Sequence, residues 1–195
     1  SGCLTMSLLL LLNGNNGGAA APTYATWNPL DTAYSLSAGN RFAGPGHDWV
    51  ITRATAYKNS GKHSFEVEAN GMYPSFGDTM IYGIAKASAG NYYLGSDNDG
   101  VGLYLNNGCK VFGGSMGAFA SFTPLPGDIF TFHYDAGDGS LIVERNGVEL
   151  GTMATPFAGV LVTPACSLYG AATGCTLKNG PVQYPRAGYA QGWVV

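Results

Sequence analysis

GDIFTFHYDAGDGSLIVERNGVELG, residues 127–151 of this 195-residue chain, alternates, turns, alternates and turns again. Phe130, Phe132 and Tyr134 fall on one side of an extended run, and Leu141 and Val143 on one side of the next. This is the period of two that sends successive side chains to opposite faces of a sheet. Asp135-Ala-Gly-Asp-Gly139 separates those two runs, and Asn146-Gly147 separates the second from Val148-Glu-Leu-Gly151. A two-residue type I′ turn needs positive φ at both central positions, which Asn and Gly tolerate best, so Asn-Gly between alternating runs predicts a tight hairpin. The stretch reads as two hairpins in series with an apolar side to bury.

Outward from there the same pattern holds. Beyond Pro22 no helical period is sustained over ten residues. Strands are predicted near 34–37, 48–56, 62–69, 79–86, 101–105, 109–112, 129–134, 140–145, 148–152, 158–169 and 174–178, with Gly, Asn, Asp, Ser and Pro between them. Many short strands with frequent turns predict an all-β, two-sheet antiparallel β-sandwich. Two connections, Asn70 to Asp78 and Gly113 to Gly127, are unusually apolar for loops. The organisation predicted is an N-terminal arm over 1–23, a sandwich over 24–180 and a C-terminal arm over 181–195.

Several motifs in order resemble one family. Ser60-Gly-Lys-His-Ser-Phe-Glu-Val-Glu68, Tyr82-Gly-Ile-Ala85, Gly127-Asp-Ile129, Asp135, Val143-Glu-Arg-Asn-Gly-Val-Glu-Leu-Gly151 and Pro164-Ala-Cys-Ser-Leu168 are similar to successive strands of SPRY-type, concanavalin-like jelly rolls. Thr26-Trp-Asn-Pro29 with Ser35-Leu-Ser37 resembles the opening of SPRY-like modules in bacteriophage virion proteins. The resemblance covers about residues 24 to 180. It implies a sandwich that binds partners through loops at one end.

Composition narrows the function. Charged residues are 11% of the chain, against about 25% in typical domains, while Gly numbers 30 and Tyr 12. A net charge of −3 without a basic run disfavours nucleic acid, whose affinity comes largely from neutralised phosphates. It disfavours an anionic membrane surface as well. The Leu8–Leu12 run is too short to span a bilayer, and no Lys or Arg precedes Arg41 as a secretory signal would require. Met6-Ser-Leu-Leu-Leu-Leu-Leu-Asn-Gly14 resembles the openings of phage tail proteins. Leu8, Leu9, Leu10, Leu11 and Leu12 are expected to form a strand docked on the sandwich or on a neighbouring subunit, with Tyr184, Tyr189 and Trp193 anchoring the C-terminal arm.

Catalytic and metal motifs do not assemble. Gly113-Gly-Ser-Met-Gly117 matches G-x-S-x-G, with Asp128 and His133 in hydrolase order, yet nothing helical follows Ser115 and the spacing leaves no room for α/β units. Glu66 and Glu68 share one face of a strand, as glycosidase carboxylates do, but a third carboxylate is missing, and the plainer reading puts both on a solvent face. Gly95-Ser-Asp97-Asn-Asp99-Gly100 fails the EF-hand frame at its first and last positions; an irregular calcium site stays open beside the plainer reading of a turn. His47, His63 and His133 share no ligand spacing.

Cys3, Cys109, Cys166 and Cys175 show no metal spacing either. Cys166 and Cys175 flank the turn Gly170–Gly174, which leaves two readings: a pair facing across a hairpin, or free, half-buried thiols acting as small hydrophobes, the commoner case.

What remains is surface. Tyr73, Phe76, Tyr92, Tyr93, Phe119 and Phe122 lie in or beside predicted loops, either as a binding face or as plugs for the sandwich ends. The expectation is a non-enzymatic bacteriophage virion protein, tail-associated and structural or adhesive, with no cofactor and no metal. Its expected partners are copies of itself, other virion proteins and a host-surface glycan or protein. A lectin-like carbohydrate-binding module and a capsid decoration protein are the alternatives.

Overall fold

The computed structural model describes residues 21–46, 48–71, 79–90, 92–178 and 180–195. Among them the chain is all strand and turn, in two antiparallel sheets. The first has seven strands in the order β1 (Leu36–Ser37), β2 (Phe42–Ala43), β13 (Gly174–Leu177), β4 (Lys62–Asn70), β9 (Ile129–Asp135), β10 (Ser140–Arg145) and β11 (Val148–Ala154). The second has six: β3 (Val50–Arg53), β12 (Val162–Tyr169), β5 (Thr79–Lys86), β6 (Gly100–Tyr104), β7 (Cys109–Phe112) and β8 (Ser115–Ala118).

The double hairpin forms as its residues require. Tyr134 pairs with Leu141 and Phe132 with Val143. Asn146 and Gly147 both take positive φ, 50° and 79°, as a type I′ turn demands. The turn is fastened from beneath by Asp128, which is buried. Its carboxylate accepts from Asn146 Nδ2 at 2.7 Å, Arg145 Nε at 2.9 Å and the Leu125 amide at 2.7 Å. Such charge-assisted bonds tie the β10–β11 turn to the entry of β9.

Alternation then builds the core. Phe65, Val67, Phe130, Phe132, Tyr134, Leu141 and Val143 of the first sheet face Met80, Tyr82, Ile84, Val101, Leu103, Cys166 and Leu168 of the second, all buried. Phe65 stacks on Phe132 at 4.9 Å, and Tyr82 meets Phe130 edge-on at 6.0 Å. Burying one such side chain stabilises by about 1.5–3 kcal/mol, so this interior is the main driving force. The Tyr34 hydroxyl closes one end, donating to Val50 O at 2.6 Å and accepting from the Leu168 amide at 2.8 Å.

Four expectations change. The segment Gly113 to Gly127, read as a loop, contains β8. All four of its residues are exposed, so no alternation marks it. The two-residue strand β2 was also missed. Glu66 is not on a solvent face: it is 1% exposed, because residues beyond β13 run back across the outer face of the first sheet. Cys166 and Cys175 do not face across a hairpin within one sheet, nor are they half-buried. The turn joining β12 to β13 carries the chain from one sheet to the other, and the two thiols meet in the core, 3.4 Å apart.

Candidate functional site

The second sheet carries an additional apolar layer on its outer face. Ile51, Ile81, Ala85, Val111 and Ala165 are covered there by Ala89 and Leu94 of the connection between β5 and β6. That connection is seated by the Leu94 amide, which donates to Ser167 Oγ at 2.8 Å. Gly102 makes the close approach possible. A Cβ at that position would lie 2.4 Å from Ile81 Cγ2 and 3.0 Å from Leu94 Cδ2. Its other end is held by Asp97 and Asp99. Asp97 accepts from the amides of Gly90 and Asp99, and Asp99 accepts from Lys86 Nζ and Ser88 Oγ. These carboxylates are occupied as turn and ion-pair groups, and among the described residues no three His, Cys, Asp or Glu side chains gather as a metal site.

Where this covering layer stops, aromatic rings take over. Trp49, one residue before β3, lies alongside Tyr169 at the end of β12, because the β3–β12 register pairs Val50 with Leu168. Their rings stack at 5.1 Å and 14°. Tyr104, at the end of β6, is near-parallel to Trp49 at 6.4 Å and 23°, and Tyr93 meets Trp49 at 5.5 Å and 61°. Tyr92 packs against Tyr93 at 4.9 Å and is 59% exposed; Tyr169 is 38% exposed. Five rings thus form one continuous, partly solvent-facing cluster. Aromatic pairs of this kind gain about 0.5–1.5 kcal/mol beyond area burial, which keeps the surface rigid.

Tyr92 and Tyr93 belong to that cluster. Trp49, Tyr104 and Tyr169 were not anticipated, since each terminates a different strand and only the topology brings those ends together. Phe119 and Phe122 sit elsewhere, packed against the main core, with Phe122 5.7 Å from Phe130 and the Arg145 guanidinium 5.4 Å from its ring. Tyr73 and Phe76 lie outside the described residues, as do Leu8 to Leu12.

Residues 181–195 form a strap over the outer face of the first sheet. The Tyr184 amide donates to Glu66 Oε1 at 2.9 Å, and Arg186 pairs with Glu144 at 3.1 Å and Glu149 at 2.9 Å. The Tyr189 ring meets His133 at 5.3 Å, and Ala190 bridges to His63. Trp193 descends into the core between Phe65 and Tyr134. The two ends of the described chain lie together: Tyr24 pairs with Val194, and the Val195 amide donates to Thr23 O at 2.8 Å.

Beneath the strap is a buried polar row. Ser64 Oγ lies 2.7 Å from His133 Nδ1, and His133 Nε2 lies 3.3 Å from Glu144 Oε1 without hydrogen-bond alignment. Burial pushes the His133 imidazole below its ordinary pKa, opposed by the Glu144 carboxylate. The group has the composition of a nucleophilic triad but not its access. Ser64 and His133 are completely buried, so no carbonyl reaches Oγ. Ser115, the other candidate nucleophile, is on β8 in the opposite sheet from His133. Glu66 accepts from Thr131 Oγ1 at 3.2 Å as well as from the strap, and Glu68 is paired with Lys178 at 2.9 Å. The depression beside them, bounded by Arg41, Thr176, Lys178 and Gln183, is about 210 Å³, below the roughly 300–1,000 Å³ of ligand clefts.

No protein-family model matches the sequence, and no curated protein sequence matches it. Solved structures do match in three dimensions. The SPRY domain of human HERC1 superposes with a TM-score of 0.65 over 82% of this chain and 99% of that one, at 14% identity. The chain has a SPRY-type fold. The TRIM65 PSpry domain matches with a TM-score of 0.62 over 80% of this chain and 92% of that one, at 17% identity. A further human SPRY domain matches with a TM-score of 0.58 over 75% and 94%, at 15% identity. At these identities the likeness concerns the SPRY-type architecture, while the aromatic cluster is read from this chain's own residues.

Proposed function

We propose that this chain is a non-enzymatic subunit of a bacteriophage virion, tail-associated, that works by adhesion, with the Trp49 cluster as its contact face and a neutral host-surface glycan as the ligand. The observation that carries the adhesive reading is the cluster in which Trp49 is near-parallel to Tyr169 and Tyr104 and meets Tyr93, with Tyr92 exposed beside it. Pyranose rings present an apolar C–H face that lies on aromatic rings, and phenol hydroxyls at the rim pair with sugar hydroxyls. The low charge of the chain suits a neutral ligand, because few strong fields compete with such contacts. Burial of the Ser64–His133–Glu144 row and of Glu66 supports a role without turnover.

The virion setting draws its support from sequence: the Met6–Gly14 opening and Thr26-Trp-Asn-Pro29 resemble phage structural proteins. In that setting the subunit would be held by copies of itself or other virion proteins, with the aromatic cluster facing outward. The test is a glycan array probed with the full chain and with Trp49→Ala. Hits that vanish in the variant support adhesion, and an array without hits overturns it. Immunogold labelling of purified phage particles with antibody against the chain tests the setting, and unlabelled particles refute it.

A further inference from the structure

Cys166 and Cys175 come from different sheets and meet in the middle of the sandwich. Their sulfurs are 3.4 Å apart, with the Cys175 thiol donating to Cys166 Sγ, and both side chains are fully buried. Cys109, the other described cysteine, is on β7, three strands from β12 in the second sheet, so it does not compete for either thiol. The pair is not the nucleus of a metal centre, since no third ligating side chain joins it among the described residues. A disulfide needs a sulfur separation of about 2.05 Å, so closure asks for a small approach of two side chains already aimed at each other.

We infer that Cys166 and Cys175 are an oxidisable pair that closes into a disulfide joining the two sheets. The oxidant is a small-molecule disulfide. One cysteine thiolate attacks it, forming a mixed disulfide and expelling one thiolate; the second cysteine attacks the protein sulfur and expels the other. Two cysteine thiols and one small disulfide become one protein disulfide and two small thiols, each departing thiolate taking up a cysteine proton. Both thiols are buried in the folded chain, and that burial sets the timing. Exchange takes place while the chain folds, before the β12–β13 connection brings the sheets together, and the finished bond is then shielded from reductant. Its effect is to clamp β12, whose end carries Tyr169, to the first sheet.

The experiment is refolding of the full chain from denaturant in buffers of varied oxidised-to-reduced glutathione ratio, followed by alkylation, intact mass and peptide mapping. The expected product is about 2 Da lighter, resists alkylation at both positions and yields a linked peptide pair. Its Tm is higher than that of the reduced chain by roughly 5 °C. Cys175→Ala and Cys166→Ala remove that redox-dependent difference. Mapping the wild-type chain needs no variant to fold. Full alkylation of both cysteines at every glutathione ratio, or linkage of either to Cys109 or Cys3, overturns the inference.

Discussion

The indole N–H of Trp193 donates to the carbonyl of Ala56 at 2.9 Å, across 137 positions of chain. This bond fixes the end of a strap whose other contacts lie over the outer face of the first sheet. Tyr184 and Arg186 hold it over Glu66, Glu144 and Glu149, Val182 is buried, and Trp193 joins the main core cluster. Trp193 is therefore its deepest anchor.

Trp193→Ala removes both the burial and the bond. The expected loss is about 3–5 kcal/mol, measured by urea unfolding. Trp193→Phe keeps most of the burial and loses the hydrogen bond, while the Ala56 carbonyl still accepts from Thr163 Oγ1, so the expected loss is roughly 0.5–1.5 kcal/mol. Equal and negligible effects of both changes would show that the strap is not anchored there.

Stability should fall on mild acidification. Burial depresses the folded-state pKa of both His133 and His63 below 6.5. The unfolded chain therefore binds more protons than the folded one just below that value, and stability rises with pH there. The contribution is complete above pH 6.5 and is lost as the pH drops from 6.5 toward the folded values. Around His133, Ser64, Glu144, Tyr189 and Arg186 set the environment, with Glu144 opposing the effect. Urea midpoints between pH 8 and 5 should decline, and His133→Gln should flatten the decline. An unchanged profile in the variant would refute the assignment to His133.

Gly102→Val fills the space that Leu94 needs over the second sheet. Overpacking of this kind costs about 1–3 kcal/mol. The local signature is faster hydrogen exchange at the Leu94 amide, whose acceptor is Ser167 Oγ. Unaltered protection of that amide would show that the connection is held by other contacts.

Trp49 is partly exposed, whereas Trp27 and Trp193 are buried. A glycan bound on the aromatic cluster should therefore change the tryptophan emission through Trp49, and Trp49→Phe should abolish the change. Tyr92→Ala, at an exposed position, should weaken binding while altering stability by no more than about 0.5 kcal/mol. Equal ligand response in all three proteins would place binding elsewhere.

Much of the sandwich was legible because strand alternation is a local property. The boundaries 79–86, 109–112 and 140–145 coincide with β5, β7 and β10, and Asn146-Gly147 turns as its side chains dictate. β8 escaped because Ser115-Met-Gly-Ala118 has no buried side to alternate against. The aromatic cluster was half legible. Tyr92 and Tyr93 stand out in a turn-rich segment, but Trp49, Tyr104 and Tyr169 each close a strand, and nothing local marks three strand ends as neighbours.

Glu66 shows the limit most plainly. Alternation correctly places it opposite Phe65 and Val67, on the outer face, yet it says nothing of what lies beyond that face. A segment more than a hundred residues downstream covers it, and Cys166 finds Cys175 through a turn that changes sheets. Which residues form strands, and which of their sides are apolar, follows from local sterics and period, and so was written in the chain. Which outer face is roofed, which rings meet and which thiols touch followed only from packing, because long-range contacts are selected by the shape of the finished sandwich and not by neighbours in sequence.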